Sequence, residues 1–530
     1  MTFEPVFSKS QLPKPYLRDR KIDPYLPPAS PPTPEQLVPQ IPPDIRNMHC
    51  HIIGKTGQGK TTLLANQAVC DINANRGGVC VIDPKGGVDG FVDIVARFIP
   101  ESRLDDCIWL DINDPIPLDI ISCVPGKEAA MVSGLSYILT RGELDKTYAP
   151  DLTRNINNLL YTLIYANSNP LMKDEDRCTL LDVQRFFFDV ERKKFILGHL
   201  KHPVLQSFWN NKNEYPDAKG QSRITSRINE YIMSNSLATI LGEPKPRLNI
   251  QEVVDKGKIL LVTVPDDDDA ATEYGSLLVA KIQQAAFSRR SPDERSEQIP
   301  PFFLYIDEFE YFRASSKFKK MLKMARSFNL CLTLANLELS ELDNDIASAL
   351  GTVSSFIVLK INTRDKHAFT DVIGAHDPGE ALRDRERAAF HEWNVAPSDA
   401  SLRKWNIAKE RLKDHPDKIV TVEDAIKLRR FEAIYKFGDD APIRRPIPTK
   451  PPEPTQRQLD NIEKIKKNSI RDYGPTEANY AKLLQSLVGD NASSNSPQVL
   501  HTEVNDTSNT DPAPGGRPNI PPYKSKKRKP

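Results

Sequence analysis

The stretch Gly54-Lys-Thr-Gly-Gln-Gly-Lys-Thr61 constrains this chain more than any other. It fits the pattern G-x-x-x-x-G-K-S/T. Before it runs "HCHIIG", an apolar strand-like segment ending at Gly54. After it runs "TTLLANQAVCDINA", in which Leu63, Leu64, Gln67 and Cys70 recur at helical spacing. A glycine loop between a strand and a helix turns its backbone N–H groups toward phosphate oxygens, and the helix behind it presents its positive end to the anion. The expected nucleotide cradle is therefore Gly54, Lys55, Thr56, Gly57, Gln58, Gly59, Lys60, Thr61 and Thr62. Lys60 adds a point charge at the β- and γ-phosphates, and the Thr61 hydroxyl is a ligand for Mg2+. ATP and Mg2+ are the cofactors this pattern predicts.

A nucleotide loop alone suits a kinase, a GTPase or a motor. "FFLYIDEF" narrows the choice, because an apolar strand there ends in Asp307-Glu308. Asp307 is expected to complete the metal shell through water, and Glu308 to orient and deprotonate an attacking water. Two adjacent acids at a strand end point to hydrolysis by water. The residues predicted to carry it are Glu308, Asp307 and Lys60, with Thr61 and Asp307 at the metal.

The rest of the chain supplies the context. "GGVCVIDPKGG" reads as turn, strand and turn, and "DDCIWLDI" as a further strand. Strand, loop, helix, strand is the α/β pattern. Residues 125–248 change character: "LTRNINNLLYTLIYAN" and "ITSRINEYIMSNSLATIL" repeat apolar residues at three and four, which predicts an all-helical insertion. Strands return with "KGKILLVTVP", "PFFLYIDEFEYF", "LCLTLANL" and "SSFIVLKIN", with a helix expected around 315–328 and "FEAIYKF" as a candidate closing strand. Of the 44 prolines, 12 lie in residues 1–45 and 14 in 441–530, so both ends read as extended or disordered. The predicted organisation is a Pro-rich segment (1–45), a core in two parts (46–124 and 249–375) around the insertion (125–248), a charged helical extension (376–437) and a Pro-rich tail (438–530). The fold class is α/β, with a mostly parallel twisted sheet.

Lys+Arg is 72 and Asp+Glu 71, which argues against a wholly basic nucleic-acid binder but leaves room for a local basic surface. The seven cysteines form no C-x-x-C and predict buried thiols in a reducing compartment. No run approaches 18 apolar residues and the start lacks an apolar leader segment, so no intrinsic membrane segment and a cytoplasmic location are expected.

"HCHIIGKTGQGKTTLLANQAVCDINANRGGVCVIDPKGG" resembles the opening of the HerA/FtsK superfamily, and most of all the coupling-protein ATPases of conjugation and type IV secretion, the TraG/TraD-like group. "DDCIWLDINDPIPLDII", "KGKILLVTVP", "PFFLYIDEFEYF" and "MARSFNLCLTLANLELSEL" are similar to family blocks in the same order. The resemblance covers about residues 46–375. It implies a RecA-like P-loop NTPase core, a hexameric ring with ATP between subunits, and DNA moved through the pore. It also implies secretion-channel or relaxosome-like partners. Arg326, in "KMARSFNL", matches the arginine finger that reaches a neighbour's γ-phosphate, an element worth on the order of 10³–10⁵ in rate. The bland alternative is a surface arginine. Asp83 in "VIDPKGG" matches a family acid, and Lys85 lines either the site or a subunit contact.

Two departures stand out. Leu337 occupies the place of the glutamine that senses the γ-phosphate, leaving Asn336 or Glu338 to substitute. The chain also begins with prolines where most coupling proteins have membrane helices. The expectation is either docking at the inner membrane through partners or work in the cytoplasm. Competing readings are a HerA/FtsK-type motor in viral DNA packaging, DNA end processing or defence, and a slow nucleotide-dependent scaffold.

Other features have ordinary readings. "PDDDDAATEY" is either a metal site or a solvated loop capping the next helix. Arg223 and Arg227 share a helix face and suit either a DNA backbone or surface ion pairs. His49 and His51 read as structural. "WNVAPSDASLRKW" suits base stacking or helix packing equally.

Overall fold

The computed structural model describes residues 41–475 except 43–44, 47, 123–124, 141–149, 265–268, 290–299, 313–320, 343, 351–352, 374–377, 414–419, 441, 449–450 and 452. In chain order the strands are β1 (Cys50–Ile53), β2 (Gly78–Asp83), β3 (Cys107–Asp111), β4 (Ile259–Thr263), β5 (Phe302–Ile306), β6 (Leu330–Asn336), β7 (Ser355–Val358), β8 (Glu432–Phe437) and β9 (Ile443–Pro446). They form one sheet in the order β3-β4-β2-β5-β6-β1-β7-β8-β9. The first seven strands are parallel, and β8 and β9 close the sheet antiparallel. The central strands are apolar at nearly every position because both faces are covered, which is why they read as continuous apolar runs and not as alternation.

One face is built from alternate residues of each strand, among them Cys50, Ile52, Val79, Val81, Phe303, Tyr305 and Ile357. They pack with Leu64 and Ala68 of α1 (Lys60–Asn73) and Phe91 and Val95 of α2 (Phe91–Arg97). The same layer is tied by a buried polar cluster. Arg46 Nη2 donates to Asp71 Oδ2 at 2.6 Å and to the Tyr305 hydroxyl at 2.5 Å, and its guanidinium lies 4.6 Å from the Phe303 ring. Ile41 joins this core, so the folded part starts before Arg46.

Between β3 and β4 the chain forms only helices and short bridges among the described residues: α3 (Glu128–Leu139), α4 (Pro150–Asn167), α5 (Asp182–Phe188), α6 (Val190–His199), α7 (Pro203–Asn210), α8 (Ala218–Ile232), α9 (Asn235–Gly242) and α10 (Ile250–Asp255). This insertion has its own core. Trp209 meets Phe186 at 4.6 Å, and its indole N–H donates to Thr162 Oγ1 at 2.7 Å. Leu118 bridges Leu248, so the segment leaves and returns at one place.

Beyond β4 come α11 (Asp269–Ser288), α12 (Asn344–Leu350), α13 (Lys366–Ile373), α14 (Pro378–Val395), α15 (Asp399–Lys413), α16 (Val422–Lys427) and α17 (Gln456–Tyr473). α14 and α15 pack on each other, with Trp393 stacked on Trp405 at 5.0 Å and 16°. That pairing is the helix-packing reading of "WNVAPSDASLRKW". Residues 321–324 are helical and Ala325–Phe328 forms a 3-10 turn.

One expectation is corrected. An extended or disordered tail from 438 onward does not hold for 443–473, which form β9 and α17. Ile462 and Ile465 of α17 enter the core, and the Trp109 N–H donates to Ser469 Oγ at 2.8 Å. The local signal is a Thr455-x-x-Gln458 capping box followed by Leu459, Ile462 and Ile465 at helical spacing, and the surrounding prolines mask it. The Pro-rich segment 1–40, the tail 476–530 with "YKSKKRKP", Asp266–Asp268, residues 315–320 of the expected helix, and Cys123 lie outside the described residues. The other six cysteines are free thiols, all but Cys70 buried. Among the described residues, no helix is long and apolar enough to cross a membrane.

Candidate nucleotide site at the C-terminal edge of the sheet

Parallel strands end on one edge, so side chains from distant parts of the chain meet there. β1 ends at Ile53 opposite Asn336 of β6 and Val358 of β7. The loop that follows leaves β1 between these neighbours: Gly54 N–H donates to Asn336 O at 3.4 Å and Lys55 N–H to Lys360 O at 2.9 Å. A side chain at Gly54 would put Cβ 2.5 Å from Leu359 Cβ, so only glycine fits. Gly59 has φ 100° and caps α1, whose N-terminus therefore opens onto the loop. Thr56 and Gly57, at the loop's tip, are exposed, while Lys55, Gln58, Gly59 and Thr61 are half-buried and Lys60 and Thr62 are buried.

Lys60 Nζ donates to Gly54 O at 2.8 Å, which folds the lysine back over its own loop. Burial lowers its pKa, against the pull of Asp307, Glu308 and Glu310. Thr61 Oγ1 donates to Asp307 Oδ2 at 2.6 Å. A hydroxyl and a carboxylate oxygen brought together this way suit magnesium, which is held by a few protein oxygens and keeps several waters. Burial pushes the Asp307 carboxyl up to about 6, opposed by Thr61 and Lys60.

Asp307 and Glu308 follow β5, and β6 lies between β5 and β1. Glu308 is in the left-handed region (φ 44°, ψ 54°), a conformation that costs a non-glycine residue about 1–3 kcal/mol and clusters at functional sites. Its side chain is buried. Oε1 is ion-paired with Lys85 Nζ, and Oε2 has no hydrogen-bond partner among the described residues. Burial works against the Lys85 ammonium, but Glu308, Asp307 and Tyr311 outweigh it and raise its pKa. Asp83 does not reach the loop residues. Its carboxylate accepts from the N–H groups of Lys85, Gly86 and Val92 and so shapes the turn after β2.

Arg326 is not in this group. It is exposed in the turn leading into β6, and β6 reaches the loop edge only at Asn336, so Arg326 stands at the opposite edge of the sheet. Of the two stand-ins for the missing glutamine, Asn336 is fully buried and engaged at both ends of its amide. Oδ1 accepts from His51 Nε2 at 2.7 Å and Nδ2 donates to Glu338 O at 2.8 Å. Glu338 Oε1 accepts from Asn362. Leu337 contributes only its backbone N–H, to Glu310 Oε1 at 3.3 Å.

Sequence reasoning missed Arg430, whose Nε donates to Gly57 O at 2.9 Å while its guanidinium lies over the Phe431 ring. A Cβ on Gly59 would lie 2.3 Å from Ile447 Cδ1 and 3.2 Å from Phe431, so the β8–β9 region abuts the loop. Nothing local in "RRFEAIYKF" announces this contact. Arg223 and Arg227 lie on α8, outside the strand edge that gathers the motif residues.

Fold and site geometry together are those of a RecA-like P-loop core with an all-helical insertion. Solved structures of the plasmid coupling protein TrwB share this fold. The complex with ADP and Mg2+ matches with a TM-score of 0.51 at 15% identity, over 79% of this chain and 89% of that one. The complex with the non-hydrolysable GTP analogue GDPNP matches at 0.50 and 16%, over 79% and 89%. The unbound monoclinic form of TrwBdeltaN70 matches at 0.51 and 16%, over 79% and 89%. At this identity the likeness is one of fold, and it falls on the same group that the sequence blocks resemble. No protein-family model and no curated protein matches the chain.

Proposed function

We propose that this chain is an ATP-hydrolysing, DNA-translocating motor of the coupling-protein kind, working as a ring with ATP between copies. The observation that carries the reading is the hydrogen bond from Thr61 to Asp307, which joins the glycine loop to the acid pair across 246 positions of sequence. Loop N–H groups and Lys60 would hold the β- and γ-phosphates. Thr61 directly, and Asp307 through water, would hold Mg2+. The ion, when bound, supplies charge neutralisation at the terminal phosphate. Glu308 accepts a proton from a water whose oxygen bonds to the γ-phosphorus. The bond from that phosphorus to the β–γ bridging oxygen breaks, leaving ADP and inorganic phosphate. TrwB, whose structures include ADP with Mg2+ and nucleotide analogues, supports this assignment by fold.

Arg326 supports an assembly. At the far edge of the sheet it serves no phosphate on its own subunit, and a neighbouring copy in a ring offers one. A slow nucleotide-dependent scaffold is the second reading, favoured by the absence of a free sensing amide on β6.

Steady-state ATP hydrolysis with and without single- and double-stranded DNA tests the proposal. Glu308→Gln is expected to lower turnover by about 10²–10⁴-fold with nucleotide still bound. Arg326→Ala is expected to lower it by about 10³-fold or more. Slow turnover indifferent to DNA supports the scaffold instead, and full activity in Arg326→Ala counts against a site shared between copies.

A further inference from the structure

β2 and β5 are neighbours, with Ile82 paired to Ile306, so residues just beyond each strand share one space. Asp83 accepts from Lys85 N–H at 3.0 Å and from Gly86 N–H at 3.1 Å, which holds the turn from beneath. Gly86 and Gly87, both at positive φ, reverse the chain. The result aims Lys85 across the strand ends at Glu308, 223 positions away. The two partners differ. The Lys85 side chain is 50% exposed and the Glu308 side chain 5%. The carboxylate is fixed, and the ammonium sits on a flexible four-carbon stem with solvent on one side. Lys60, Asp307 and Glu308 all lie within electrostatic reach of Lys85, so its ammonium borders the place a terminal phosphate would take.

The usual reader of that phosphate, a side-chain amide after β6, is missing. Leu337 has no polar side chain, Asn336 is committed to His51 and to Glu338 O, and Glu338 is bonded to Asn362. Among the described residues, Lys85 is a half-exposed cation at this edge that already touches the water-activating residue.

We propose that Lys85 is the γ-phosphate sensor of this chain: it exchanges its ion pair with Glu308 for the terminal phosphate of ATP, and by leaving frees the Glu308 carboxylate to take up water. This rests on the ATPase reading above. ADP lacks the competing anion and leaves the pair in place. ATP binding and release of the base then become one event, carried by β2 and not by β6.

Affinities of the full chain for ADP and for the analogue adenosine β,γ-imidotriphosphate, each with Mg2+, test this without turnover. Lys85→Met is expected to weaken the triphosphate by about 10–100-fold, the range of a charge-assisted hydrogen bond, with ADP affinity unchanged. Lys85→Arg, which keeps the charge, restores the triphosphate to within a few-fold. Glu308→Gln removes the competing carboxylate, so triphosphate affinity rises, and this gain disappears in the Lys85→Met background. Equal losses for both nucleotides, or no loss for either, in a chain whose wild type binds and hydrolyses ATP would overturn the sensor. Failure of the wild type to bind the triphosphate would sink the ATPase reading first, and the sensor with it.

Discussion

His51 shows how one residue beneath the site ties stability to pH. Its ring is wholly buried among Phe309, Phe356 and Phe369 and donates to Asn336 Oδ1. Burial pushes its pKa down to about 4 from the ordinary 6.5, and the Asn336 bond only partly offsets this. The native state therefore leaves this imidazole neutral where the unfolded chain protonates it. The sign follows: the unfolded state binds more protons between pH 6.5 and 4, so stability present above 6.5 is lost as pH falls through that window. His51→Gln keeps a donor for Asn336 and removes the titration. Urea unfolding at steps from pH 7 to 5 is expected to show a slope shallower by about 1.4 kcal/mol per pH unit. An unchanged slope would show that His51 does not carry the effect.

α17 makes a case at the scale of an element. It lies against β3 and α2 through Ile462 and Ile465, and Lys466 covers the Trp109 ring at 4.4 Å. Gln458 Nε2 donates to Arg97 O at 3.0 Å. These contacts finish the edge of the sheet next to the insertion, an edge that would otherwise expose Trp109 and an unpaired strand. Ile465 is wholly buried. Ile465→Ala is expected to cost about 2–5 kcal/mol in denaturant unfolding. A cost below about 0.5 kcal/mol would mean that α17 is dispensable to the core.

At the scale of the whole molecule, the loop and acid pair lie where the parallel strands end and Arg326 lies where β6 begins, at the opposite edge of the sheet, and the proposed ring makes them two halves of one site. One copy cannot bring them together, so activity should depend on assembly. Glu308→Gln retains the arginine and lacks the base, and Arg326→Ala has the reverse defect. Mixed one to one, they should regain activity at about a quarter of interfaces in a closed ring, although each alone is inactive. No recovery on mixing would count against a site shared between copies.

The chain alone made the loop, the acid pair, the α/β class and the helical insertion legible, because each rests on contiguous residues. Glycine spacing, a polar strand end and helical periodicity are local chemistry, readable without knowing what lies opposite. Strand order is not local. Only tertiary structure put β2 beside β5 and so Lys85 on Glu308, and only register showed that Asn336 is committed to His51 and that Arg326 stands at the edge opposite its own loop. The Pro-rich composition around 443–473 likewise hid a capped amphipathic helix whose worth depends on the exposed edge it covers. Local patterns specify which elements form. The competition for burial and for hydrogen-bond partners across the folded sheet decides which side chains meet.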